Sequence, residues 1–299
     1  MAHEVDVDRS DALDPDDAFT LLADETRLQI LRALGDAWSP RDRAPLSFSE
    51  LRDRAGVADG GRFNYHLTRL VGTFVRRVED GYWLTYPGVR VYQAIASGAF
   101  NEHLAVDPFE IDDDCVICGA SLVASYEDHL LSIACPACDH RFVRNYVPPG
   151  RVAEGDPDAF LVAVDQTIRR STAAATAGVC ADCSGTVAVA VGPNVGYILP
   201  ESAPEYDVRV TFDCEHCSAH VENTVGSTLL SHPAVISFAY ERGLSLADQY
   251  VWTIPFVVDP DSTTLRSTDP LRVAVTVEAG GDSRRFVVDE ALDVVAVEE

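Results

Sequence analysis

The chain has 299 residues and 32.4 kDa, and 47% of it is hydrophobic, enough to bury real cores and to exclude global disorder. Its 23 basic residues are all arginine and stand against 48 acidic ones, for a formal net charge of −25. No window approaches the roughly 18 uncharged apolar residues of a membrane span. The acidic start MAHEVDVDRSDALDPDD lacks the basic-then-apolar order of a signal peptide, so the expectation is a cytoplasmic chain without a membrane partner.

Residues 1–15 read as an acidic flexible tail. From Asp16 to Gly35 the apolar residues Phe19, Leu22, Ile30, Leu31 and Leu34 recur at helical spacing, with a break at Ala23-Asp24-Glu25-Thr26 and a stop at Gly35. Ser47-Phe48-Ser49-Glu50 is a capping box opening a short helix through Ala55. After a turn with Gly56, Gly60 and Gly61, a helix from Arg62 to Val71 places Phe63, Leu67, Leu70 and Val71 on one face. The runs Phe74–Val78 and Tyr82–Thr85 flank Glu79-Asp80-Gly81 as a hairpin, and Gly88–Ala99 reads as a further helix.

Charge is unevenly spread. From Thr20 to Tyr92, 11 arginines face 9 acids, a net of +2, so the rest of the chain carries −27. That island is where a polyanion site is expected. With Phe63, Leu67 and Leu70 inward, the other face of the Arg62–Val71 helix offers Arg62, Asn64, Tyr65, His66, Thr68 and Arg69. Arginine can read guanine and asparagine adenine, while Tyr, Thr and Arg can hold phosphates.

The order of helices and hairpin, with DETRLQILRAL, LSFSELRDRAGV, RFNYHLTRLVGTFVRR and DGYWLT, resembles the ArsR-like winged helix-turn-helix transcription regulators over residues 16–104. The resemblance implies sequence-specific binding of double-stranded DNA, a homodimer built from the first and last helices, and RFNYHLTRL entering the major groove. Two features depart from it. The helix SELRDRAG has no thiol for metal sensing, and the wing turn Glu79-Asp80-Gly81 is acidic, leaving Arg76 and Arg77 just before it to reach the DNA backbone. The all-arginine, acidic composition resembles proteins of extreme halophiles, and at about 1 M salt a screening length of about 3 Å would let an acidic chain approach DNA.

All eight cysteines fall in Cys-x-x-Cys pairs: Cys115/Cys118, Cys135/Cys138, Cys180/Cys183 and Cys214/Cys217. Such a knuckle sets two thiolates on one side of a tight turn, and two knuckles complete a tetrahedral zinc shell. The first two pairs, between the strand-like runs Leu122–Tyr126, Leu130–Ala134 and Arg141–Val147, read as a zinc ribbon over residues 105–150. The second two flank Thr186–Val191, a Pro- and Gly-rich loop from Gly192 to Glu205, and Val208–Phe212, giving a second zinc site within residues 179–299. Cross-pairing of the four knuckles stays open. Disulfides are disfavoured in a reducing interior, no βαβ frame supports thioredoxin-like chemistry, and four thiolates leave no open position for catalytic zinc. His129, His140, His216 and His220 are expected at the surface rather than as ligands.

Between the two sites, residues 151–178 hold a helix over Asp156–Ala177, capped by Asp156, with Phe160, Val164 and Ile168 as its stripe and Arg169-Arg170 near its end. It is placed to bridge the zinc sites. A helix over Pro233–Arg242 stops at Gly243. Alternating runs at Val251–Val258, Leu271–Val277, Arg284–Asp289 and Val294–Val297, with a turn at Gly280-Gly281-Asp282, predict a small antiparallel sheet closing on the second site.

The predicted class is therefore α+β: a winged helix-turn-helix, two zinc-ribbon-like β modules with helices, and a small antiparallel sheet. No phosphate loop, nucleotide-binding glycine motif, serine-hydrolase elbow or His-Glu-x-x-His is present, so an enzyme is not expected. The leading reading is a DNA-binding transcription regulator, with structural zinc stabilising an effector or oligomerisation region. A winged helix followed by a zinc ribbon also looks like archaeal transcription factor E, a basal scaffold that contacts polymerase. A zinc-thiolate redox sensor is the third reading.

Overall fold

A computed structural model describes residues 13–38, 44–150, 152, 155–193, 195 and 207–299. Most of the predicted acidic tail, and most of the predicted loop between Gly192 and Glu205, lie outside the described residues. The chain divides into two compact units, Met1–Glu102 and His103–Glu299, and its class is mixed α+β.

The first unit contains α1 (Pro15–Leu22), α2 (Glu25–Ala37), α3 (Phe48–Arg54), α4 (Gly60–Leu70), the hairpin of β1 (Val75–Val78) and β2 (Gly81–Leu84), and α5 (Tyr86–Ala96). The break between α1 and α2 is made by Asp24, whose carboxylate accepts the Arg27 backbone N–H at 3.3 Å and caps α2. Helix α3 opens with both halves of the capping box: Glu50 N–H donates to Ser47 Oγ, and Ser47 N–H donates to the Glu50 carboxylate. Ile30, Leu31, Leu34, Leu51, Phe63, Leu67, Leu70, Phe74 and Val75 form the core, so α2, α3, α4 and the hairpin share one apolar centre.

Gly35, expected as a stop, instead lies inside α2. A Cβ there would come within 2.2 Å of the Tyr92 ring, so the residue is small because α5 packs onto it. Tyr92 then donates its hydroxyl to Asp36 at 2.9 Å.

The second unit begins with an antiparallel sheet of β3 (Ala105–Asp114), β4 (Ser121–Glu127), β5 (Leu130–Ala134) and β6 (Arg141–Tyr146), in that spatial order. After α6 (Pro157–Thr176) comes a three-stranded sheet of β7 (Val187–Gly192), β8 (Arg209–Cys214) and β9 (His220–Thr224). Helices α7 (Val225–Thr228), α8 (Pro233–Glu241) and α9 (Pro255–Val258) lead into a final meander of β10 (Thr263–Thr268), β11 (Leu271–Ala279), β12 (Asp282–Val288) and β13 (Val294–Glu298).

Helix α6 joins the pieces. Its Phe160, Leu161 and Val164 enter the core of the first sheet with Leu122, Ala124, Tyr126 and Leu131, and its Ala175 enters the core of the second with Val210 and Phe212. Asp165, 3% exposed, accepts the Val251 N–H at 2.8 Å and the Arg169 Nε–H at 2.8 Å. Arg169 also donates to the Gln249 carbonyl. The arginine predicted to serve the end of the helix is thus a partner for a buried carboxylate, and the helix runs on past it to Thr176. The ranges predicted as separate pieces (105–150, 151–178 and 179–299) share these cores.

The run Val251–Val258, expected as a strand, is two helical turns: a 3-10 turn at Val251–Thr253 and then α9. Pro255 has no N–H to give a sheet ladder and suits the first position of a helix. Val251, Trp252, Ile254, Phe256, Val257 and Val258 are all buried, which a half-exposed strand could not achieve. Gly226 in α7 lets this segment close in, since a Cβ there would meet the Phe256 carbonyl oxygen at 1.7 Å. Strands β3, β9 and β10 lack the alternating apolar pattern that marks the other strands in the sequence. β3 carries Pro108 and several acids, and β10 reads TTLRST; both are edge strands, where Pro and polar residues are tolerated.

Candidate metal centres and nucleic-acid interface

The knuckles pair in sequence order. The Sγ atoms of Cys115, Cys118, Cys135 and Cys138 lie within 4.8 Å of one another, as do those of Cys180, Cys183, Cys214 and Cys217. Within the sets, Cys115–Cys138 and Cys180–Cys217 are each 3.8 Å apart, and Cys118–Cys135 and Cys183–Cys214 each 3.5 Å. A tetrahedral ion with metal–sulfur bonds of about 2.3 Å separates its sulfurs by about 3.8 Å, so both sets fit a metal ion.

One backbone device builds all four knuckles. The residue after the second cysteine takes a left-handed conformation: Gly119 (φ 73°), Asp139 (57°), Ser184 (61°) and Ser218 (57°). The first cysteine's N–H then bonds back to a carbonyl five residues on, at Ala120, His140, Gly185 and Ala219, with distances of 2.8–2.9 Å. Only Gly119 announces this turn in the sequence. In each pair the first cysteine is buried and the second exposed. Cys115 and Cys135 belong to the core of the first sheet, and Cys180 and Cys214 to that of the second.

Backbone donors make some of the thiols ready ligands. The N–H groups of Cys217 and His216 aim at Cys214 Sγ at 3.4 Å each and draw its pKa down to about 6. Burial opposes ionisation at Cys135, but the N–H groups of Cys138 and Ala137 outweigh it and hold the thiol at about 7. Local desolvation inside the thiol cluster, with the neighbouring sulfurs of Cys135, Cys118 and Cys115, pushes the exposed Cys138 up to about 12. A metal must displace that proton, so binding releases protons. Among the four histidines expected at the surface, His140 is buried against Phe142, with ring centroids 4.4 Å apart, and burial lowers its pKa.

In the first unit, α4 is started by Asp59, which accepts the N–H groups of Gly61 (2.7 Å) and Arg62 (3.0 Å). These two bonds hold the Asp59 carboxyl below its usual range. Phe63, Leu67 and Leu70 point into the core, while Arg62, Asn64, Tyr65, Thr68 and Arg69 are exposed. The Arg69 guanidinium stands 5.6 Å from the Tyr65 ring centroid. Arg76 and Arg77 are exposed on β1, opposite Trp83 and Tyr82.

His66 does not join the outward row. It is 9% exposed, with Nδ1 3.2 Å from Asp24 Oδ1 on the cap of α2. Four residues beyond Arg62 and three beyond Phe63, it falls on the flank of α4 that packs against α2. Partial burial opposes ionisation of Asp24, but the Arg27 N–H and the neighbouring His66 hold its carboxyl below the usual range. Sequence reasoning also missed Thr26, whose Oγ1 accepts from Arg62 Nη2 at 3.1 Å. Its place beside the α2 cap gave no signal of a partner 36 residues away.

Among the described residues, no helix is long and apolar enough to cross a membrane. No curated protein and no solved structure matches the chain. A family model described as a domain of unknown function (DUF7347) matches residues 15–95, closely following the helices and hairpin of the first unit. A second, described as a domain of unknown function (DUF7351), matches residues 112–294, more than half of the chain, and takes in both four-cysteine sets. The chain belongs to the DUF7351 family.

Proposed function

We propose that the protein is a sequence-specific, DNA-binding transcription regulator in which two zinc ions hold the second unit folded. The observation that carries this reading is the exposed row Arg62, Asn64, Tyr65, Thr68 and Arg69 on α4, backed by core residues and lying in the one segment spared the acidic drift. The order of α2, α3, α4 and the β1–β2 hairpin suits a winged helix-turn-helix, with α4 in the major groove. Arg62 and Asn64 are assigned to base edges, and Tyr65, Thr68, Arg69, Arg76 and Arg77 to phosphates. The acidic turn Glu79-Asp80 keeps the hairpin tip off the phosphates and leaves that contact to Arg76 and Arg77.

Helices α1 and α5 leave Phe19, Tyr86 and neighbouring apolar side chains exposed, which suits a homodimer built through them. Zinc is favoured over harder ions because the donors are four thiolates at tetrahedral spacing. These sites read as zinc ribbons with a structural role, since a complete sulfur shell leaves no position for substrate.

The test is selection of bound duplexes from a randomised pool. Arg62→Ala and Asn64→Ala each relax preference at one base position, while Arg77→Ala weakens all sequences alike and lowers the salt dependence by about one counterion. Equal loss from all three removes the assigned readout. Capture of RNA polymerase with no enriched motif favours the basal-scaffold reading.

A further inference from the structure

Two contacts between α4 and the start of α2 have no part in the reading above. Arg62 Nη2 donates to Thr26 Oγ1 at 3.1 Å, and Thr26, in the first turn of α2, is 2% exposed. One turn further along α4, His66 Nδ1 sits 3.2 Å from Asp24, the residue that caps α2. Arg62 and His66 are four apart, so both contacts lie on one flank of α4, the flank that faces the start of α2. Yet Arg62 itself stays exposed.

A guanidinium carries five N–H donors in a planar fork. Thr26 takes one of them, which orients the plane and leaves donors free for a second partner. A long side chain already held in place loses less rotamer freedom when it binds. A hydroxyl that merely sealed the α2–α4 contact would need no exposed guanidinium as its partner; another core side chain would serve.

We propose that Thr26 is a positioning residue for DNA reading: its hydroxyl holds the Arg62 guanidinium in the orientation that meets a base edge, on a helix seated by Phe63, Leu67 and Leu70 in the core. This rests on the DNA reading and adds to it a determinant of specificity that touches no DNA.

The experiment uses the full-length, metal-loaded chain and a randomised duplex pool, comparing wild type, Thr26→Val, Thr26→Ser, Arg62→Ala and the Thr26→Val/Arg62→Ala double variant, with a thermal melt of each. Thr26→Val loses roughly tenfold in discrimination at the same base position that Arg62→Ala relaxes, within the range of a single bidentate contact. Thr26→Ser restores the preference, and Thr26→Val adds nothing once Arg62 is gone. Thr26→Ala carries the same expectation should the valine variant melt too early to assay. A folded Thr26→Val with wild-type preference, or one that relaxes preference equally without Arg62, overturns the assignment of Thr26 and leaves the DNA reading standing. A wild-type chain that enriches no sequence overturns both.

Discussion

In Met1–Glu102 a single core of aliphatic and phenylalanine side chains, with no cysteine among its described residues, ties three helices to a hairpin; in His103–Glu299, four of the eight cysteines are themselves core residues. The charge differs as well: the first unit carries 12 arginines against 17 acids, the second 11 against 31. Short helices can close a core by side-chain packing alone. The knuckle-joined sheets crowd acids together and set four thiols inside their cores, so they are expected to draw on ligands that bind only the folded state. Metal dependence should therefore be confined to one unit.

The largest effect comes from the metal. A structural Zn2+ site in small zinc modules is worth about 10–16 kcal/mol at pH 7, so a strong chelator should abolish strand signal and proteolytic resistance in His103–Glu299. The helical signal of Met1–Glu102 should persist. Circular dichroism with limited proteolysis checks this, and native mass spectrometry should return two metal ions per chain. Acidification should act in the same direction: thiols ordinarily near 9 must stay deprotonated on the metal, so affinity falls as pH falls and metal is released before the first unit melts. Equal sensitivity of both units to chelation would erase the contrast.

Next comes the strut inside the second unit. Asp165→Ala strands Arg169 and the Val251 N–H, and removing one partner of a buried pair costs about 3–5 kcal/mol. The metal-loaded protein should melt correspondingly earlier while still holding both ions. Gly226→Ala should cost about 1–3 kcal/mol, because the new methyl group overpacks the Phe256 carbonyl. The smallest effect belongs to the first unit: Ser47→Ala breaks the capping box of α3 and should cost about 1 kcal/mol in a urea melt of that unit. A Ser47→Ala loss as large as that of Asp165→Ala would mean that the first unit lacks the independent packing attributed to it.

Much of this was legible in the chain because it rests on local chemistry. Spacing of three and four residues located α2 and α4, the Ser47–Glu50 box located α3, and Asp156 with Pro157 marked the start of α6. The cysteine pairs named all eight thiols of the two sites. Less legible were contacts made across long stretches of chain. His66 reads as one more polar residue on an outward face until Asp24 is seen beside it. Arg169 reads as a helix-end cation until Asp165 and the Gln249 carbonyl claim it. Val251–Val258 alternates like a strand, but burial on every side and Pro255 favour helical turns.

By itself the sequence determined the ligand chemistry, the local helices and the segregation of charge, because each depends on residues close together in the chain or on composition. Tertiary structure alone decided which knuckles come together, which face of α4 holds His66, and how α6 fastens the two sheets. Those outcomes turn on packing between residues tens of positions apart, where the geometry of approach, rather than residue type, selects the partner.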